Sequence, residues 1–116
     1  MKITDLLSEK TISIGVKASS KEDVIKQAVA LIAESGVIKD VEVYQKGVFK
    51  REEESTTGIG EGIAIPHCKS DVVAKPALAA MVIPDGVEYE ALDGEPVQLL
   101  FLIAAPMPFP KRSILS

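Results

Sequence analysis

Val97-Gln98-Leu99-Leu100-Phe101-Leu102-Ile103-Ala104-Ala105 is the stretch that decides the fold. All of it but Gln98 is apolar, and Pro106 closes it. It falls far short of the roughly 20 apolar residues a membrane-spanning helix needs. A short apolar run stopped by proline reads as a strand buried on both faces of a sheet. Leu92-Asp93-Gly94-Glu95 supplies a turn before it. Further upstream, Leu78 to Ile83 reads as a second strand, with Pro84-Asp85-Gly86 as the turn that ends it. Ile12-Ser13-Ile14 alternates apolar and polar residues and suits a short strand.

The elements between are helical. Ser20 is a natural N-cap, and Asp23 three residues on completes a capping box. Val24, Ala28, Leu31 and Ile32 recur at spacings of three and four, and Gly36 provides a stop. Asp40 caps a second helix whose face is Val41, Tyr44, Val48 and Phe49. That helix is expected to run to Lys50 or Arg51, where positive charge complements the dipole. Gly47 weakens it by up to about 1 kcal/mol. Helices early, strands late and a buried central strand predict an α/β sandwich: a mixed β-sheet flanked by helices.

The totals narrow the function. The chain has 116 residues, which predicts one domain, and 47% of them are apolar, enough for a core. Thirteen basic against seventeen acidic residues leave −4, so nothing attracts nucleic acid or anionic lipid in general. The single cysteine, Cys68, cannot form an internal disulfide, and the amino terminus carries no long apolar leader. Both point to a reduced, cytoplasmic setting without membrane insertion.

Chemistry is concentrated around the only histidine, in Thr57-Gly58-Ile59-Gly60-Glu61-Gly62-Ile63-Ala64-Ile65-Pro66-His67. An imidazole with a pKa near 6.5 offers a neutral, nucleophilic nitrogen around neutral pH. Pro66 fixes its approach and biases Ile65 toward an extended conformation. A phosphoryl group on that nitrogen needs N–H donors and a cation. Gly58, Gly60 and Gly62 let backbone amides approach an anion, and the guanidinium of Arg51 suits a phosphate. Glu61 is placed to orient the ring. The plainer readings are a surface histidine, turn glycines, an Arg51 that caps its helix or pairs with Glu52 to Glu54, and a solvated Glu61. No Gly-Lys-Ser/Thr follows the glycines, so this is not a Walker loop, and their spacing misses the dinucleotide fingerprint. One His and one Cys are too few donors for a metal, so no metal or cofactor is expected. A His67–Cys68 dyad is disfavoured because sequence neighbours on a strand face opposite ways.

Arg51-Glu52 followed by Ser55 to His67 closely resembles the fructose/mannitol-type enzyme IIA domain of the bacterial phosphoenolpyruvate-dependent sugar phosphotransferase system. Ile3-Thr4-Asp5-Leu6-Leu7 is similar to that family's opening, and Leu92 to Pro106 to its later strand, so the resemblance implies an enzyme IIA type-2-like domain over residues 1–106. The resemblance implies a phosphoryl carrier. The phosphocarrier HPr brings a phosphohistidine, the Nε2 of His67 accepts the group, and a IIB cysteine takes it on. From there it reaches a sugar, fructose being the first expectation, as the sugar crosses through the membrane permease IIC. No metal takes part in the carrier steps. Arg51 matches the family's phosphate-side arginine and Glu61 its acidic residue near the histidine. The alternatives are a nitrogen-related regulatory phosphoprotein of the same type and an inactive, truncated fragment.

The chain departs from the family at its end. Family members continue with a second histidine and covering helices, whereas residues 107–116 form an atypical tail in which Pro106, Pro108 and Pro110 alternate. The expectation is a truncated or altered carboxyl end without its covering elements. An uncovered apolar sheet face then favours self-association.

Overall fold

The computed structural model describes residues 6–107. The tail from Pro108 onward and most of the Ile3–Leu7 opening therefore lie outside the described residues. A 3-10 turn (Glu9–Thr11) leads into β1 (Ile12–Ser13), then come α1 (Lys21–Ala33) and α2 (Val41–Glu54). Five strands follow: β2 (Gly58–Gly60), β3 (Ile63–Ala64), β4 (His67–Ser70), β5 (Ala77–Val87) and β6 (Val97–Pro106). They form one mixed sheet in the order β1-β5-β6-β3-β2, with β4 also paired to β6.

β6 is the axis of this sheet. It runs antiparallel to β5, from Ala77↔Ala104 to Val82↔Leu99. Its other edge takes two short parallel strands in succession, β3 at Leu99 and Leu100 and β4 at Ile103 to Pro106. The interruption between them is Ile65-Pro66, where proline has no N–H to donate. The Pro66 carbonyl still accepts from the amide of Ile103 at 3.0 Å, so the chain stays in register across the break.

Both helices start where their caps predict. Ser20 Oγ accepts from the amide of Asp23 at 3.0 Å, and Asp40 Oδ1 from that of Val43 at 3.1 Å. The Asp23 carboxylate reaches back one residue further than a capping box requires, to the amide of Ser19 at 2.9 Å. Val24, Ile25, Ala28, Val29 and Ile32 of α1 are buried with Tyr44 and Val48 of α2 against Ala79, Met81, Ile83, Leu100, Leu102 and Ala104 of the sheet. The Tyr44 hydroxyl donates to the carbonyl of Ile103 at 2.9 Å, a polar tie through an apolar layer.

Three expectations are corrected. The strand Val97–Ala105 is not buried on both faces: burial alternates along it, and Ile103 remains 37% exposed. The residues of β5 and β6 on the helix-facing side are buried, whereas Val82, Leu99, Phe101 and Ile103 on the opposite side are not. Pro84-Asp85-Gly86 does not end a strand. β5 continues to Val87, and the three residues form an irregularity between the Val82↔Leu99 and Val87↔Val97 pairs, with Gly86 at φ +76°. The second helix runs to Glu54 rather than Lys50 or Arg51, because Glu52 turns inward to buried partners and Arg51 Nη1 donates to the carbonyl of Ser55 at 3.0 Å.

Candidate active site

The alternation of side chains along β4 sets the site. Cys68 packs toward α2, so closely that a Cβ on Gly47 would lie 2.6 Å from its Sγ. That contact explains a glycine inside a helix. His67, one residue earlier, turns to the opposite face of the sheet, where its register partner is Ile103. The two side chains therefore part across the sheet. Burial pushes the Cys68 thiol above its ordinary pKa, away from the thiolate that nucleophilic chemistry needs. Lys69 follows Cys68 and is exposed; it sits two residues from His67 on the same strand, so the alternation brings it back to His67's face.

The His67 ring is half-buried, and its Nδ1 lies 3.0 Å from the carbonyl oxygen of Ile65. A carbonyl only accepts, so in the neutral ring this contact places the proton on Nδ1. Nε2 then carries the lone pair. The Ile65 carbonyl belongs to the peptide that precedes Pro66, and the amide of Ile65 is itself tied to the carbonyl of Thr57 at 3.0 Å.

The glycine run is a hairpin. Gly60 pairs with Ile63, and the two residues between, Glu61 (φ +57°) and Gly62 (φ +80°), have the left-handed backbone of a type I′ turn. A bulge between Gly58 and Gly60 shifts the register. Gly58 is glycine for a different reason, since a Cβ there would sit 2.8 Å from the Cα of Ala91. Asp93 fastens the hairpin tip to the turn before β6: one carboxylate oxygen accepts from the amide of Glu61 at 2.9 Å and the other from that of Glu95 at 3.0 Å. These amides, that of Glu61 foremost, hold its carboxyl below the usual range. The amide of Gly58 is engaged by Thr56 Oγ1 at 3.1 Å. The Glu61 side chain, with Asp85 and Glu95, borders a depression on the surface that His67 does not line. Among the described residues, no hydrogen bond or ion pair joins Arg51 or Glu61 to His67.

These features have counterparts in known proteins. The sequence model of the phosphoenolpyruvate-dependent sugar phosphotransferase system EIIA 2 family matches residues 5–113. The chain belongs to this family. It is 47% identical over 105 residues to the PTS system fructose-specific EIIABC component of Bacillus subtilis (strain 168), covering 90% of this chain and 16% of that protein. It is 35% identical over 109 residues to the PTS system fructose-specific EIIA component of Haloferax volcanii, covering 91% and 71%. The chain thus spans a small part of the first relative and under three quarters of the second. Among solved structures, the nitrogen regulatory protein IIA-Ntr from Neisseria meningitidis superposes with a TM-score of 0.85 at 28% identity, over 91% of this chain and 72% of that one. Enzyme IIAMTL from Escherichia coli, in its complex with phosphorylated enzyme IIBMTL, gives 0.77 at 28%, over 86% and 70%. The expected α/β fold is therefore that of EIIA 2 relatives.

In this EIIA 2 chain the sequence reading passed over a buried polar cluster behind the hairpin. Glu52 is 8% exposed; its Oε2 accepts from the amide of Thr57 at 2.7 Å and its Oε1 from the Thr57 hydroxyl at 2.6 Å. The Tyr89 hydroxyl lies 3.3 Å from Oε1, and the Lys21 ammonium 3.1 Å from Oε2. Burial pushes the Glu52 carboxyl up, but the Thr57 and Lys21 hydrogen bonds together bring it below its ordinary value. The one cue in the sequence was a glutamate at the end of an amphipathic helix, and the acidic neighbours Glu53 and Glu54 disguised it as solvated charge.

Proposed function

We propose that this chain is a phosphoryl carrier: His67 accepts the group from phosphorylated HPr and passes it to a cysteine of a IIB domain, for uptake of a sugar, fructose, through IIC. The observation that carries the reading is the His67 Nδ1–Ile65 carbonyl contact, because it leaves the Nε2 lone pair uncommitted on a sheet face that no described helix packs against. In the transfer that lone pair attacks phosphorus as the donor's P–N bond breaks and its electron pair returns to the donor imidazole. Such a reaction asks for in-line approach and charge stabilisation rather than a metal or cofactor. Arg51 is the cation assigned to the phosphoryl oxygens, since Ser55 occupies only one of its five N–H donors. Gly60, Glu61 and Gly62 turn at the level of Leu99, four residues along β6 from Ile103, the partner of His67, so their part is to fix the hairpin rather than to touch the phosphoryl group. The fructose-specific relatives support the sugar, and the IIAMTL–IIBMTL complex supports a IIB partner. A cytoplasmic location follows from the chemistry of the donor.

The likeness to IIA-Ntr favours a second reading, a regulatory phosphoprotein that accepts the group and passes none to a IIB cysteine. Incubation with enzyme I, HPr and phosphoenolpyruvate, followed by mass spectrometry, should show one acid-labile phosphate on the wild type and none on His67→Ala. An unmodified wild-type chain would end the carrier reading and leave the inactive fragment. Adding the IIB domain of a fructose system separates the other two, because only a transport carrier loses its label to it.

A further inference from the structure

The buried carboxylate of Glu52 and the imidazole of His67 lie at the two ends of one continuous hydrogen-bonded path. Glu52 holds Thr57 by both amide and hydroxyl, at 2.7 and 2.6 Å. The Thr57 carbonyl accepts from the amide of Ile65 at 3.0 Å. The Ile65 carbonyl faces His67 Nδ1 at 3.0 Å. We propose that Glu52 is a positioning residue for His67, one that keeps the Ile65 carbonyl where it takes the Nδ1 proton and so leaves Nε2 free for the phosphoryl group. This rests on the carrier reading of His67 for its purpose but not for its geometry.

Three observations support the role. First, the cluster is more elaborate than a helix end requires. Glu52 near the end of α2 and Tyr89 from the segment between β5 and β6 both bond Thr57, the residue just before the hairpin, and Lys21 at the start of α1 pairs with Glu52. Tyr89 is fully buried, and the Lys21 ammonium stands 4.7 Å from its ring centre. Second, Thr57 is held at more than one point: its amide and hydroxyl both bond Glu52, and its hydroxyl also lies 3.0 Å from that of Tyr89. Third, the neighbouring constraints leave a part for this tie: Asp93 fastens only the hairpin tip, and Pro66 restricts Ile65 from the carbonyl side, whereas the bond to Thr57 holds Ile65 from its amide side.

Glu52→Gln tests this. The amide keeps the volume of the carboxylate, and its oxygen can still accept from the Thr57 amide, but its N–H forces the Thr57 hydroxyl to turn from donor to acceptor, and the charge that strengthens both bonds is lost. Because the chain has one histidine, its ring gives a single set of signals in 1H–15N long-range correlation spectra. The wild type should show the Nδ1–H tautomer. In Glu52→Gln the tautomer ratio should move about fivefold toward Nε2–H. The maximal rate of phosphorylation by phospho-HPr should fall roughly tenfold, as expected of a misplaced nucleophile, with the half-saturating donor concentration unchanged. Thr57→Val removes only the hydroxyl and should shift both readouts in the same sense by less; it decides the matter if Glu52→Gln does not fold. A folded variant with the wild-type tautomer ratio and rate overturns the proposal. A wild type that takes up no phosphate would sink the carrier reading instead, while the ring spectra still judge Glu52.

Discussion

His67 and Glu52 are the residues on which the chemistry and the architecture meet. The histidine was legible at once, as the only imidazole and as the end of a glycine-punctuated run closed by Ile65-Pro66. Glu52 was not, since three glutamates in succession look alike in one dimension. Its environment gives it a pH signature. Its carboxyl lies below the ordinary value in the folded chain, so folding favours the ionised form. The resulting stabilisation is complete above the unfolded glutamate value of about 4.3 and is lost as pH falls through the depressed folded value. Urea midpoints measured from pH 7 down to pH 3 should therefore drop in the wild type, and the drop should be shallower in Glu52→Gln. Parallel curves for the two proteins would mean that Glu52 is not held as an ion.

Among the elements, α2 and β4 show how a local weakness serves packing. Gly47 costs its helix up to about 1 kcal/mol against alanine. The return is contact with Cys68, whose Sγ would lie 2.6 Å from a Cβ at position 47, while its own Cβ is 4.0 Å away. Gly47→Ala should thus destabilise the parent by about 1–2 kcal/mol through overpacking. In a Cys68→Ala background the same change should stabilise by up to about 1 kcal/mol, since only the propensity gain remains. A double-mutant cycle by chemical denaturation reads the coupling directly, and additive effects would show that the helix does not press on β4 there. The hairpin is the counterexample to local reading. Gly58, Gly60 and Gly62 stand two apart in sequence, yet one is required by the approach of Ala91 and the others by a left-handed turn and its bulge. A shared role at an anion was a natural inference from the spacing, but the amide of Gly58 is bound to Thr56.

At the scale of the whole molecule, both described helices contribute their apolar stripes to one side of the sheet. The other side carries Val82, Leu99, Phe101 and Ile103 along β5 and β6, with His67 beside Ile103. Val82 and Ile103 are each 37% exposed. Contiguous apolar surface of this kind drives association. The isolated 116-residue chain should therefore sediment above its monomer value with a concentration dependence, and Ile103→Thr with Val82→Thr should reduce it. A single monomeric boundary across the concentration range would remove self-association from the account.

By itself the chain determined where its helices start and the caps that start them, the strand that begins at Val97, and the histidine with its approach. These follow from spacing, side-chain chemistry and backbone restriction, which act over a few residues. Tertiary structure alone decided that the described helices cover β6 on one side only, that the Pro84-Asp85-Gly86 segment stays within a strand, and that α2 extends through its acidic end. It also decided that Glu52, Thr57 and Ile65 stand in line behind the imidazole. Each of these depends on groups brought together from distant parts of the chain, and the desolvation and hydrogen bonding that govern them exist only once those groups have met.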